Sequence, residues 1–287
     1  MRIRDKIKKP QRPVVAYEIL PPREKDGTLN VYAETISSLL SQTHIDAINI
    51  PEVHDEAGRG ERPVSNQERG EPRKFGMLLQ DIVGIEAIIN RVVVHMPLRK
   101  QMEWIKETYS KYEIDNLIIV GGESSKQKYP GPTVNESLEK ISQDNRRLEN
   151  SILCGGICIP SRRKESKNLI KKSECGAEFF TTQVLCDPGN VIKMIKNYQE
   201  RCDKVNTFPR RILLSFAPVS SQKNIDFLKW LGVEIPKDTE RYLNGRPGAM
   251  TERSLDVAIE VLNEILAFIA NNNLKVPVGL NVEHIMS

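Results

Sequence analysis

The stretch that decides the fold is Val14-Val15-Ala16-Tyr17-Glu18-Ile19-Leu20-Pro21-Pro22-Arg23. Its apolar part, Val14–Ile19, predicts a short buried strand, and the two prolines end that strand because they remove backbone donors and fix an extended exit. Glu18 is therefore expected at the rim of a sheet. A carboxylate at the end of an apolar strand is expensive to bury unless it has a function or a partner. For this segment alone, a Glu paired with a nearby Lys or Arg is the alternative explanation.

Short β-branched runs recur after this one, and each is followed by a longer helical pattern. The strand candidates are Val14–Ile19, Ala47–Ile50, Arg91–His95, Asn116–Val120, Ile152–Ile157, Glu178–Gln183, Arg211–Phe216 and Val276–Asn281. The segments with apolar residues at helical spacing are Ala33–Leu40, Gln80–Ile89, Lys100–Lys111, Val134–Leu148, Lys164–Lys172, Asn190–Cys202, Ser221–Trp230 and Glu252–Asn271. Units of this kind indicate a parallel sheet covered on its outside.

The order of these segments predicts an α/β protein with a single (β/α)8 TIM barrel domain over residues 1–287. The chain length is typical of that fold. An open doubly wound sheet is the less favoured alternative, because no strand is followed by a G-x-G-x-x-G turn.

Composition narrows the function classes. The net charge of +4 is too small to indicate a nucleic-acid binder, and the mean hydropathy of −0.41 is that of a water-soluble globular protein. The sequence has no apolar stretch long enough to span a bilayer and no signal-peptide core at its N-terminus. Five irregularly spaced cysteines suit a reducing cytoplasm better than a disulfide framework. We therefore expect a cytoplasmic protein with a small-molecule ligand.

Polar residues follow the predicted strands, where barrels of this kind carry their chemistry. These residues are Glu18, Asn49, Glu52, His95, Glu123, Arg163, Gln183, Asp187, Asn224 and Asn281. Acids together with neutral hydrogen-bonding groups suit an organic ligand better than a metal. His95 is the one histidine of four at a predicted strand end, and no H-x-x-H or C-x-x-C spacing occurs, so we predict no metal site. The segment His54–Lys74, without periodicity, is the candidate lid.

The order of motifs resembles the methylenetetrahydrofolate reductase family. Tyr-Glu18-Ile-Leu-Pro-Pro-Arg is similar to that family's Phe-Glu-Phe-Phe-Pro-Pro-Lys/Arg, and Val-Val-Val-His95 is similar to its third strand. Val-Gly-Gly-Glu123 stands at the place of Leu-Arg-Gly-Asp, and Phe-Phe-Thr-Thr-Gln183-Val-Leu-Cys-Asp is similar to Phe-Ile-Ile-Thr-Gln-Phe-Phe-Phe-Asp. Gly-Leu-Asn281 is similar to the Thr-Leu-Asn of the last strand. The resemblance spans nearly the whole chain.

The resemblance implies a flavin-dependent oxidoreductase of one-carbon metabolism and methionine biosynthesis. It would reduce 5,10-methylenetetrahydrofolate, or a related pterin carrier, to the 5-methyl form, with NADH or NADPH as donor. The implied catalytic residues are Glu18, the proton donor, and Glu123, an electrostatic stabiliser. The implied FAD-binding residues are His95, Gly121, Gly122, Arg163, Asn168, Lys171 and Lys172, with Arg162 beside them at the diphosphate. The implied substrate-binding residues are Gln183, Asn224, Leu228 and Asn281.

The chain departs from the family pattern at several of these positions. Gly121 replaces an Arg, and Ile159 and Arg163 stand where the family has an aromatic residue and a His that contact the flavin. Asn224 and Leu228 replace the Gln and Phe that hold the folate. The missing flavin contacts favour a second class, a pterin-binding barrel that transfers a methyl group without flavin, whereas the pattern from Glu18 to Gln183 disfavours it. A third class is a subunit-type barrel that docks an electron-transfer partner protein in place of nicotinamide. The sequence does not decide between tetrahydrofolate and another pterin, or between oligomeric states.

Overall fold

Eight parallel strands close into a barrel in the computed structural model, which describes residues 1–54, 62–63, 68–122, 127–146, 151–245 and 249–285. Each strand pairs with the next along the chain, and the last strand pairs with the first. The strands are β1 Val15–Glu18, β2 Ala47–Pro51, β3 Ala87–Val92, β4 Asn116–Val120, β5 Leu153–Cys158, β6 Phe179–Val184, β7 Arg211–Phe216 and β8 Val278–Val282. This topology confirms the predicted (β/α)8 TIM barrel.

Helices surround the strands. They are α1 Ile3–Lys8, α2 Leu29–Leu40, α3 Pro72–Val83, α4 Leu98–Tyr112, α5 Val134–Asn145, α6 Glu165–Glu174, α7 Gly189–Lys204, α8 Gln222–Trp230, α9 Lys237–Leu243 and α10 Met250–Asn271. Among the described residues, no helix is long and apolar enough to cross a membrane.

The third strand–helix unit corrects the sequence prediction. The predicted helix Gln80–Ile89 ends early, because α3 stops at Val83 and Gly84 takes a left-handed conformation with φ +69°. The next strand, predicted at Arg91–His95, begins at Ala87. The helical spacing of apolar residues continues past the glycine by chance, whereas the run Ala87-Ile88-Ile89 is buried as a strand. His95 consequently lies in the turn after β3.

The N-terminal helix α1 was not predicted, and it closes the lower end of the barrel. Ile3 and Ile7 are buried against the lower layer of inward-facing strand residues. Arg211 of β7 fixes the helix, because its guanidinium donates to the backbone oxygens of Ile7 at 3.1 Å and Lys9 at 2.5 Å. Closing this end leaves the opposite end, where the strands finish, as the accessible mouth.

Two glycines of β5 show how tightly the barrel interior is packed, and they provide a stability prediction. A Cβ on Gly155 would lie 2.5 Å from the Phe179 ring, whereas a Cβ on Gly156 would lie 3.5 Å from the nearest atom of Lys172. We expect Gly155→Ala to destabilise the protein by about 1–3 kcal/mol, because the ring must leave its packed position. The matched variant Gly156→Ala should be neutral or stabilise by up to about 1 kcal/mol. Urea denaturation of both variants measures the difference, and equal losses would contradict this packing argument.

The strand register brings the polar residues of four strands together at the mouth. Glu18 of β1 lies opposite Asn49 of β2. Asn281 of β8 lies opposite Ser215 of β7. Because β8 runs to Val282 rather than ending at Asn281 as predicted, Glu283 follows directly at the same edge.

Candidate active site at the barrel mouth

A cavity of about 490 Å³ opens at the carboxyl ends of the strands. Its floor includes Glu18, Asn90 and Glu283, and one of its sides is formed by α8 and the residues that follow it. A volume of this size suits a drug-sized organic ligand. The predicted polar mouth of the barrel is therefore a concave site.

Glu18 belongs to a hydrogen-bonded network on the cavity floor. Its Oε2 accepts from Asn49 Nδ2 at 3.2 Å, and the same nitrogen donates to Asn281 Oδ1 at 3.3 Å. Asn281 Nδ2 in turn donates to Glu283 Oε1 at 3.1 Å and to Ser215 Oγ at 3.1 Å. Two amide side chains, Asn49 and Asn281, thus connect the two carboxyl groups.

Burial dominates the electrostatics of both carboxyl groups. It raises the pKa of Glu18 well above the ordinary value of a glutamate, and the negative charge of Glu283 raises it further. Burial also raises the pKa of Glu283 to about 7, although hydrogen bonds from Ser215 and Asn281 act in the opposite direction. A carboxyl group that stays protonated near neutral pH can act as a general acid.

The sequence analysis did not single out Glu283. Side chains of a strand alternate between its faces, so the residue two positions after Asn281 shares its side. That spacing was the available signal, and ending the predicted strand at Asn281 concealed it.

Two aromatic residues of α8 line the cavity beside the predicted Leu228. Phe227 and Trp230 stack with their ring centroids 5.9 Å apart and their planes 14° from parallel. The Arg62 guanidinium lies over both rings, at 5.3 Å and 5.4 Å from the centroids. The cavity therefore has a flat aromatic surface with a cation above it, although Leu228 stands where the family has its phenylalanine.

Gln183 lies on the cavity wall between the floor and this aromatic surface. Its Nε2 donates to the backbone oxygen of Leu231 at 2.9 Å, which holds the amide in place. Asn90, an amide on the cavity floor, has a buried Oδ1 for which the described residues provide no donor. An unsatisfied buried acceptor is expensive, so a donor from a ligand or from water is expected there.

The opposite wall comes from β4, β5 and α6. Gly121, Gly122, Arg162 and Lys172 line it together with apolar side chains such as Ile157. Lys172 Nζ donates to the Ile157 backbone oxygen at 2.5 Å. A Cβ on Gly122 would lie 2.2 Å from the Tyr129 ring, so the glycine makes room for that tyrosine.

Several predicted binding residues lie away from the described cavity wall. Arg163 and Lys171 are exposed on the outside of the loop and helix. Asn168 Nδ2 donates to Glu165 Oε2 at 2.9 Å. The His95 ring lies against that of His54, with their centroids 4.8 Å apart.

Asn224 is buried, and its Oδ1 accepts from the backbone nitrogen of Ser220 at 3.0 Å rather than facing the cavity. Glu123 falls outside the described residues. The binding and catalytic roles assigned to all of these residues stay predictions. Among the described residues, no cluster of His, Cys, Asp and Glu is arranged to hold a metal ion.

The chain is a closed (β/α)8 barrel with two buried carboxyl groups and a flat aromatic surface at its mouth. The family model described as methylenetetrahydrofolate reductase matches residues 158–276, from the end of β5 to the approach to β8. This match confirms the resemblance that the order of motifs indicates. No curated protein matches the chain significantly.

Two solved structures are similar to the whole barrel. One is an uncharacterized protein from Clostridium thermocellum that binds two copies of 5-methyl-5,6,7,8-tetrahydrofolic acid. It is 21% identical, with 99% of this chain and 92% of that chain covered and a TM-score of 0.79. The other is 2,3-dimethylmalate lyase, of the PEP mutase/isocitrate lyase superfamily. It is 12% identical, with 95% and 88% covered and a TM-score of 0.50. At these identities the likeness shows the fold.

Proposed function

We propose that this chain reduces a methylene-carrying tetrahydropterin, either tetrahydrofolate or a related C1 carrier, to its methyl form. The observation that carries the proposal is Glu18, a carboxyl group with a raised pKa on the floor of the cavity. The reductase family match supports it. The Clostridium thermocellum barrel, which binds 5-methyltetrahydrofolate, supports the choice of ligand.

Glu18 supplies the proton that opens the carrier. In a methylene carrier the one-carbon unit bridges two nitrogens, and one carbon–nitrogen bond must break before the carbon can accept hydride. The proton moves from the Glu18 carboxyl to the leaving nitrogen, and the remaining nitrogen forms an iminium cation with the carbon. The hydride then adds to that carbon and gives the methyl group.

Other residues of the cavity bind and orient the carrier. Gln183 offers both donor and acceptor atoms to the edge of a pterin ring. Phe227 and Trp230 offer a flat apolar surface to an aromatic ring of the ligand. Electrostatic stabilisation by Glu123 remains part of the proposal from the family resemblance.

FAD is the hydride carrier that the resemblance implies, and the wall formed by β4, β5 and α6 has the chemistry to hold it. The apolar side chains there suit a flat ring system, and the Arg162 and Lys172 cations suit a diphosphate or the polar edge of the ring. When bound, FAD supplies hydride that it receives from NADH or NADPH.

One observation favours the flavin-free alternative, a pterin-binding methyl-transfer barrel. The predicted flavin contacts Arg163, Asn168 and Lys171 do not line the described cavity, and His95 lies against His54 instead. In that case Glu18 would activate the carrier nitrogen by protonation, with no hydride involved.

The visible spectrum of the purified protein and its titration with FAD separate the two functions. We expect a yellow flavin band or saturable FAD binding, and FAD-dependent oxidation of NADH or NADPH when a methylene carrier is supplied. Tetrahydrofolate and tetrahydromethanopterin derivatives should be compared side by side, because the aromatic wall does not choose between their tails. A colourless protein that does not bind FAD but binds a methyl carrier would refute the reductase function and support the methyl-transfer function.

A further inference from the structure

Glu283 has no role in the function proposed so far, although it lies on the cavity floor with Glu18. The two residues come from opposite ends of the chain and are joined by Asn49 and Asn281. This bridge connects their carboxyl groups through two amides.

The amide hydrogens of the bridge are fully used. Asn49 Nδ2 has two acceptors, Glu18 Oε2 and Asn281 Oδ1, and Asn281 Nδ2 also has two, Ser215 Oγ and Glu283 Oε1. Reversing the Asn49 amide would turn an oxygen toward the acceptor atoms, so the orientation is fixed by its partners. Each carboxyl group therefore receives one amide hydrogen from the bridge.

No described cation pairs with either carboxyl group. The charged and titratable side chains that share the cavity are Glu52, His54, Arg62, Arg162, Lys172 and His284. Glu52 is paired with Arg91, and Lys172 lies near Glu165. Arg69 donates from its Nη1 to the Pro21 backbone oxygen. The pKa of His284 is lowered mainly by burial and further by the positive charge of Arg69. Two adjacent buried carboxylates without a cation strongly disfavour simultaneous ionisation.

We propose that Glu283 is a positioning residue that shares a single proton with Glu18 across the Asn49–Asn281 bridge. The inference rests on the proposed acid role of Glu18. Because Glu283 carries the negative charge of the pair, Glu18 meets the carrier in its protonated form.

The proton balance of the step follows from this arrangement. The oxygen–hydrogen bond of Glu18 breaks and a nitrogen–hydrogen bond forms on the carrier, so the pair changes from one negative charge to two. The positive charge that develops on the iminium lies beside this doubly negative pair and is stabilised by it. After the methyl carrier leaves, the pair recovers its proton from water.

Carboxyl carbon-13 NMR of glutamate-labelled protein, in the absence of cofactor and carrier, tests the proposal. The resonance that disappears in Glu18→Gln identifies Glu18. We expect Glu18 in the wild type to titrate well above the ordinary glutamate pKa, and Glu283→Gln to move that titration down by at least about one pH unit. Glu283→Asp, which keeps the charge, should retain most of the high value. Glu234→Gln, an exposed acid outside the bridge, should change nothing.

Two results would overturn the shared proton. One is a Glu18 titration that is the same in the wild type and in Glu283→Gln. The other is a wild type in which both carboxyl groups ionise near the ordinary glutamate pKa, which decides the matter even if a variant fails to fold. Since the readout requires no turnover, a protein that fails to reduce any carrier would refute the proposed function and leave this result intact.

Discussion

Glu18→Gln is expected to slow the reduction of the methylene carrier by roughly 100-fold or more, while FAD reduction by nicotinamide continues. Glutamine is nearly the same size as glutamate and keeps an acceptor for Asn49, but it cannot supply the proton that opens the carrier. Stopped-flow measurement of the two half-reactions separates the acid role from a general loss of structure.

The structure also predicts how stable this variant is. Among the described residues Glu18 makes no ion pair, and burial disfavours its charged form, so the neutral amide should not lower the unfolding temperature. Glu234→Gln provides the control for removing a carboxylate near the mouth. If Glu18→Gln reduced the carrier at the wild-type rate, Glu18 would not be the acid. An equal loss in both half-reactions would indicate a structural role.

Arg91→Met is expected to lower the free energy of unfolding by about 3–5 kcal/mol. Arg91 is buried in β3, where its Nη1 pairs with Glu52 Oε1 at 2.5 Å and its Nε donates to Gln101 Oε1 at 2.9 Å. Methionine fills a similar volume but leaves the Glu52 carboxylate buried without its cation. Urea denaturation at neutral pH measures the loss.

Arg99→Met is the matched control, because Arg99 pairs with Glu103 on the surface of α4 with 90% and 60% of the side chains exposed. Such a pair contributes at most about 1 kcal/mol. A loss from Arg91→Met no larger than that of this control would contradict the assigned importance of the buried pair.

The pH dependence of this loss has a definite sign. Burial raises the pKa of Glu52, but a hydrogen bond with His54, the charge of Arg91 and the Val92 N–H together lower it below the ordinary value. The stabilisation from Glu52 is therefore present above the ordinary glutamate pKa and is lost as the pH falls through the lowered value. The difference in free energy of unfolding between the wild type and Arg91→Met should therefore become smaller at acidic pH.

The barrel could be predicted from the sequence because its buried strands are nearly continuous apolar runs. The boundary of the third unit could not, since the helical spacing of apolar residues crosses Gly84. The short helix α1 was not predicted, because six residues are too few to show the helical spacing of apolar side chains. Its buried residues Ile3 and Ile7 can be recognised as core residues only when the barrel that they pack against is known.

The helix residues of the cavity wall could not be predicted from sequence patterns. Lys171 and Lys172 are adjacent on α6, and a rotation of about 100° per residue places Lys172 in the cavity and Lys171 outside it. Likewise, the spacing of Phe227 and Trp230 on α8 predicts an apolar face, but only the position of the helix shows that this face meets the cavity. The order of motifs was enough to place Glu18 and Gln183 at the cavity. Which side chains of α6 and α8 face the cavity depends on the rotation of each helix about its axis, and only the structure shows that rotation.

The seam between β1 and β8 has a consequence for when the cavity floor forms during folding. Asn49 and Asn281, which hold the two acids together, are 232 residues apart along the chain, and Ile7 and Arg211 at the opposite end of the barrel are 204 apart. Contacts of such long range form late, since their loop-closure entropy must be offset before they contribute. A chain emerging from the ribosome therefore builds most of the sheet before the cavity floor is complete. Partly folded molecules, however much secondary structure they contain, lack the acid pair.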